Sequence, residues 1–133
     1  MKRIYVAYKF AEEDPIELRK RLEALSKVIE EATGCKTFIF FRDAQNWKKG
    51  DMPVKEIVTK ALAEIEKCDA ILVEASTKAR GAYLEAGYAK ALKKKVIVIH
   101  ETGTEANFLE AIADVAIEYD DLEDLRGKLK VKV

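Results

Sequence analysis

The sequence predicts a doubly wound α/β fold with a five-stranded parallel sheet. Two observations carry that prediction: short β-branched or aromatic runs alternate with amphipathic stretches at helical spacing, and the intervals suit right-handed βαβ crossovers. A third is length. The chain has 133 residues, which is one domain's worth, and at that size roughly 70% of the unfolded surface can be buried.

Each element can be justified in order. Arg3 to Tyr8 (RIYVAY) is the first strand. Pro15 then opens a helix in which Ile16, Leu18, Leu22, Leu25, Val28 and Ile29 recur at helical spacing, and Gly34 stands where it should stop. Thr37 to Phe41 (TFIFF) reads as a second, deeply buried strand. Val54 to Glu66 is amphipathic behind Pro53, Ala70 to Val73 is the third strand, and Gly81 to Leu92 is a helix. Val96 to Ile99 is the fourth strand. Glu105 to Ala113 reads as a helix, Val115 to Ile117 as a short fifth strand and Leu122 to Leu125 as a last helical turn. The tail from Lys128 to Val133 alternates like a half-exposed edge strand. The expected architecture is a flavodoxin-like three-layer sandwich forming one domain over 1–133.

Composition excludes several function classes. An apolar fraction of 49% rules out disorder, and no apolar run approaches the ~18 residues of a membrane span. Twenty-four Lys plus Arg balance twenty-four Asp plus Glu, so no long-range field draws the chain to nucleic acid polymers or anionic lipid. Cys35 and Cys68 lie far apart without CxxC spacing, and no secretory signal precedes Arg3, so the expected compartment is the cytoplasm. High charge with one glutamine and two asparagines matches the compositional habit of thermophile proteins.

Ligands of such sheets bind at the carboxyl ends of the strands, where the strand order reverses. Four segments qualify: Tyr8 to Glu13, Arg42 to Met52, Glu74 to Gly81 and His100 to Thr104. The first strand is followed by Tyr8-Lys9-Phe10-Ala11 rather than GxGxxG or GxxxxGK[ST], which disfavours a dinucleotide or P-loop site of standard form. There is no HExxH and only one histidine, which disfavours an all-protein zinc or di-metal site; no cofactor is expected.

Glu85 is the odd residue of this edge. Helical glutamates usually have a Lys or Arg three or four places away, but Glu85 has Gly81 and Ala82 on one side and Tyr88 and Ala89 on the other. Spacing puts Ala82, Ala89 and Leu92 on its face, so the carboxylate should project from a small-residue stripe. The helix N-terminus favours its ionised form and apolar surroundings disfavour it. A desolvated, ionised carboxylate is what attack on a sugar anomeric carbon needs, because the transition state there is positive and a covalent ester can form. The plain alternative is a solvated surface glutamate. Gly87 costs ~1 kcal/mol inside a helix relative to alanine, and close packing is its expected purpose.

Ile4-Tyr5-Val6-Ala7, Cys68-Asp-Ala-Ile-Leu-Val-Glu-Ala-Ser76 and Gly81-xxx-Glu85-x-Gly87-Tyr-Ala89 together resemble the nucleoside 2-deoxyribosyltransferase superfamily, which includes the deoxynucleoside 5'-monophosphate N-glycosidases. The resemblance covers most of the chain. It implies cleavage or exchange of an N-glycosidic bond, with Glu85 as the nucleophile on C1' and Tyr5 as the hydroxyl that orients it or the sugar. It implies a nucleoside or nucleotide substrate, and a homodimer in which Asn107 crosses the interface to the sugar 5'-hydroxyl. Two positions depart from the family pattern: Ala61 stands where an acid usually helps the departing base, and Ala79 where a Ser or Asp meets the 5' group. The glycine-rich first loop of the monophosphate hydrolases is replaced by Tyr8-Lys9-Phe10, leaving Lys9 and Arg80 as nearby phosphate partners. Val6 to Asp14, with Arg42-Asp43 and Gly50, is also similar to the first two boxes of Toll/interleukin receptor domains, whose NAD-cleaving members use a glutamate on the third helix. A non-catalytic nucleotide-binding or signalling module is therefore the alternative.

The remaining substrate-binding candidates come from the same sheet edge. Ala7, Tyr8, Lys9 and Gly81 flank the expected site, and Asp43 and Trp47 lie in a loop long enough for a lid, where an exposed indole stacks on a base or simply packs. Glu74 and Ser76 could hold ribose hydroxyls or cap the next helix. His100 ends the fourth strand, and an imidazole there could shuttle a proton to a leaving base. Asp69 opens its strand at the opposite edge and reads as a feature of the fold. Lys93 to Lys95 closes a helix as a solvated cationic end.

Overall fold

The computed structural model describes residues 1–133. Five strands alternate with helices: β1 (Arg3–Ala7), α1 (Pro15–Thr33), β2 (Lys36–Ile39), α2 (Phe40–Asp43), α3 (Val54–Lys67), β3 (Ala70–Glu74), α4 (Arg80–Ala91), β4 (Lys95–Glu101), α5 (Asn107–Glu110), β5 (Val115–Tyr119) and α6 (Leu122–Lys132). All pairings are parallel, in the order β2-β1-β3-β4-β5. The fold is the doubly wound three-layer sandwich that the alternation predicts. No helix is long and apolar enough to cross a membrane.

Strand alternation divides the interior in two. Ile4, Val6, Leu72, Ile97 and Ile99 face α1 and α6, whereas Tyr5, Ala7, Ile71, Val73, Val96 and Val98 face α3, α4 and α5. Ile4, Ile71, Leu72, Ile97 and Ile99 are fully buried, and burial of each such side chain is worth about 1.5–3 kcal/mol. A one-residue slip of β1 would turn Tyr5 into the other layer, so the same burial that holds the strand also aims the hydroxyl. Asp69 accepts the backbone N–H groups of Lys2 and Arg3 at 2.7 and 3.0 Å, tying the start of β1 to that of β3.

The helices begin and end for local reasons. Asp14 caps α1 by accepting the Ile16 N–H at 3.1 Å, with Pro15 in the first turn, and Gly34 ends it in the left-handed conformation at φ 75°. Asp121 caps α6 through the Asp124 N–H at 2.8 Å.

Five sequence expectations are corrected. β2 stops at Ile39 rather than Phe41, because the Asp43 carboxylate takes the Ile39 N–H at 2.9 Å and the chain turns into α2. The helix expected from Glu105 to Ala113 shrinks to the single turn of α5, which has no side-chain cap. The tail is not a strand: α6 runs to Lys132, burying Leu125 and Leu129 one turn apart while Val131, which a strand would place on the face of Leu129, is 85% exposed. On α4 the buried stripe is Ala82, Ala86 and Ala89, with Leu92 39% exposed outside it. Gly87 serves no close contact either, for a Cβ there would meet open space.

Candidate active site

The strand order reverses between β1 and β3, and a cavity of about 590 Å³ opens beside their carboxyl ends on the α3–α4 face. Tyr5 and Glu85 both line it. Tyr5 reaches it because alternation along β1 turns its ring toward α4, where Phe38 of β2 stacks on it at 5.5 Å between ring centroids. Glu85 sits in the second turn of α4, beside the alanine stripe that brings this helix close to the sheet.

The Tyr5 hydroxyl donates a hydrogen bond to Glu85 Oε2. Burial pushes the Glu85 carboxyl up to about 7, while the Tyr5 hydrogen bond pulls the other way by favouring the anion. No cation contributes to its titration. Burial, and then the neighbouring Glu85 charge, raise the Tyr5 phenol well above its ordinary range, so the shared proton stays on Tyr5. The pair is thus an oriented, largely dehydrated carboxylate with one donor and no counter-ion. Such a group is suited to meet a developing positive charge or to attack an electrophilic carbon.

The rest of the wall divides by chemistry. Phe10, Phe40, Ile57, Ala61 and Ala82 supply apolar surface, and Gln45 supplies a neutral amide. Lys9, Lys78 and Arg80 bring positive charge to the region where α4 begins. Ala79, the residue before that helix, has no side chain to cap it, so the N–H groups of the first turn keep their positive end for a ligand.

The Tyr8 hydroxyl accepts the Phe41 N–H at 2.9 Å, and burial raises its titration above the usual phenol range. Tyr8, Lys9 and Gly81 line the cavity with Tyr5 and Glu85. The other predicted positions lie elsewhere. Ala7 is buried in the core layer of Tyr5. Asp43 holds the Ile39 N–H and pairs with Arg42 at 2.9 Å. Trp47 packs edge-on against Phe41 at 5.4 Å under the Arg19 guanidinium, the packing role rather than the base-stacking one. Glu74 and Ser76 line a different cavity, on the α1 side of the same edge. His100 is buried between Glu110, 3.0 Å from Nε2, and Thr104, 3.1 Å from Nδ1. It shares a shallow depression with Asn107, which is exposed.

Sequence reasoning passed over Phe10, Phe40, Gln45, Ile57 and Lys78 as site residues. Gln45 had a usable signal, being the chain's single glutamine and placed in the stretch after the second strand. Phe40 had none, because a strand through Phe41 hides the turn that puts its ring at the cavity.

No family model and no curated protein sequence matches the chain. Solved structures do. The CMP N-glycosidase BcmB of Clostridium botulinum superposes with a TM-score of 0.70 at 21% identity, covering 99% of this chain and 100% of that one. A 2-deoxyribosyltransferase of Bacillus psychrosaccharolyticus gives 0.65 at 20% identity, over 96% and 95%. A conserved protein of Enterococcus faecalis V583 gives 0.70 at 14% identity, over 100% and 99%. The parallel five-stranded sheet therefore shares its α/β fold with these structures, among them an N-glycosidase and a 2-deoxyribosyltransferase.

Proposed function

We propose that this protein cleaves or exchanges the N-glycosidic bond of a nucleoside or nucleotide, with Glu85 as the nucleophile. The observation that carries the reading is the Glu85 carboxylate itself: desolvated, free of any cation, and held by the Tyr5 hydroxyl at the wall of a cavity of about 590 Å³. The likeness to structures described as a CMP N-glycosidase and a 2-deoxyribosyltransferase supports it.

In this reading Glu85 attacks C1' as the bond to the base breaks, giving a glycosyl ester with retention after a second displacement. The bonding electrons leave with the base. Water or a second base then takes C1' from the ester, and the carboxylate is regenerated. Tyr5 keeps its proton and holds one carboxylate oxygen, so the other is aimed at the sugar. Gln45 offers both a donor and an acceptor to a base edge. Lys9, Lys78, Arg80 and the uncapped start of α4 suit a 5'-phosphate. Ala61 lines the cavity without an acid, so departure of the base relies on solvent or on the base's own protonation.

A homodimer belongs to the same proposal, with Asn107 of one copy reaching the cavity of the other. Asn107 and the neighbouring Phe108, 84% exposed, lie free on the surface. Analytical ultracentrifugation decides it, and a monomer at all concentrations removes this part.

The main test is base release followed by chromatography, using deoxynucleosides, their 5'-monophosphates and NAD, each with and without a second free base. Release that vanishes in Glu85→Ala is expected, and incorporation of the added base marks a transferase. Release that survives Glu85→Ala eliminates the nucleophile. Binding without release from any substrate leaves a nucleotide-binding module, the reading that Ala61 and Ala79 favour.

A further inference from the structure

Across the same sheet edge, a second cavity of about 500 Å³ lies between α1 and the carboxyl ends of β3, β4 and β5. The proposed reaction makes no use of it. Tyr8 and Lys9 line both cavities and so stand between them.

Three surfaces of different chemistry meet in this second space. Leu18, Leu22 and Leu25 of α1 are buried and form an apolar side. Glu74 presents a half-buried carboxylate, fixed by the Ser76 N–H at 2.8 Å, the Ser76 hydroxyl at 2.9 Å and the Tyr119 hydroxyl. A carboxylate offers about four acceptor positions, so three bonds leave capacity for a ligand donor. Lys9, Lys20 and Arg21 add cations. Lys20 pairs with the exposed Glu17 at 3.5 Å, and Arg21 with the half-buried Glu13 at 3.3 Å, which lines the cavity together with Glu101.

An apolar wall suits the face of a heterocycle, a rigid carboxylate at a strand end suits ribose hydroxyls, and a group of cations suits phosphate. One class of small molecule carries all three. We propose that this cavity is a second binding site, separate from the Glu85 cavity, for a nucleoside phosphate. The heterocycle lies on the leucines of α1, the ribose hydroxyls donate to Glu74, and the phosphate meets Lys20 and Arg21. The site does not depend on Glu85 being a nucleophile. A bare sugar phosphate would leave the leucine wall uncovered, so it binds more weakly.

Nitrogen-15 amide spectra of the full chain, titrated with AMP, CMP and ribose 5-phosphate, test the proposal. Amides of Leu22, Ser76 and Glu101 are expected to shift with a nucleotide in both the wild type and Glu85→Gln. Ribose 5-phosphate should need at least tenfold more ligand. Glu74→Gln combined with Lys20→Ala should raise the half-saturating nucleotide concentration at least tenfold, and Lys20→Ala alone, a change at an exposed side chain, at least threefold. The single variant keeps the test decisive if the double one folds poorly. Shifts confined to Arg80, Gly81 and Ala82, shifts at Ser76 indifferent to Lys20→Ala, or equal binding of ribose 5-phosphate overturn the second site. Base release that continues without those shifts leaves the Glu85 reading standing, so the two proposals fail separately.

Discussion

The hydroxyl of Tyr5 donates to Glu85 Oε2 across 80 residues of sequence, joining the first strand to the fourth helix at the wall of the cavity. This one bond opposes the effect of burial on the carboxylate, and it sets the terms of the first three predictions.

Base release should follow ionisation of Glu85. With the carboxyl near 7, the rate falls on the acid side of neutrality, to about one thirtieth of its alkaline plateau near pH 5.5. A pH–rate profile of kcat/KM on a substrate that does not itself titrate in this range measures it. A limb near pH 4.5 would mean that the carboxylate is solvated.

Tyr5→Phe removes the donor that favours the anion. A hydrogen bond to a charged group is worth about 1.5–3 kcal/mol, so the acid limb should move up by about one to two pH units. At neutral pH the rate should fall about 5- to 50-fold, as the ionised fraction drops from one half. A lower rate with an unmoved limb would assign Tyr5 to packing alone.

Glu85→Gln should stabilise the fold at alkaline pH. The folded carboxyl titrates above its ordinary range, so the folded state binds the proton more tightly than the unfolded chain does. Stability is therefore greatest below the unfolded value of about 4.5, and declines as pH rises through about 7. Glutamine carries no charge to bury. Urea unfolding should show a gain of about 1–3 kcal/mol for the variant near pH 8, shrinking toward zero near pH 4.

Gly87→Ala should stabilise α4. The position is helical and exposed, and an added Cβ meets nothing within 4 Å. The expected gain is about 0.5–1 kcal/mol in thermal unfolding, from helix propensity and a less flexible unfolded chain. A loss would show that the open face of α4 is covered in solution.

Much of the layered architecture was legible because strands and helices carry different hydrophobic periods. Alternation along Ile4-Tyr5-Val6-Ala7 already places Tyr5 opposite Ile4, and the absence of a local cation already marks Glu85. Local rules failed where one particular side-chain contact or burial decided the outcome. Asp43 turns the chain after Ile39 by taking its N–H, and burial of Leu125 and Leu129 makes a helix of a tail with strand-like alternation.

The amino-acid sequence by itself determined the order of elements, the parallel sheet and the lack of an ion partner for Glu85 on its own helix, since these depend on residue period and spacing along the chain. Only the tertiary structure decided that Tyr5 meets Glu85, that Glu74 and Ser76 belong to another cavity, and that Trp47 packs inward against Phe41. Those relationships are set by packing and desolvation in the closed fold. No local pattern records which side chains the closed fold brings together.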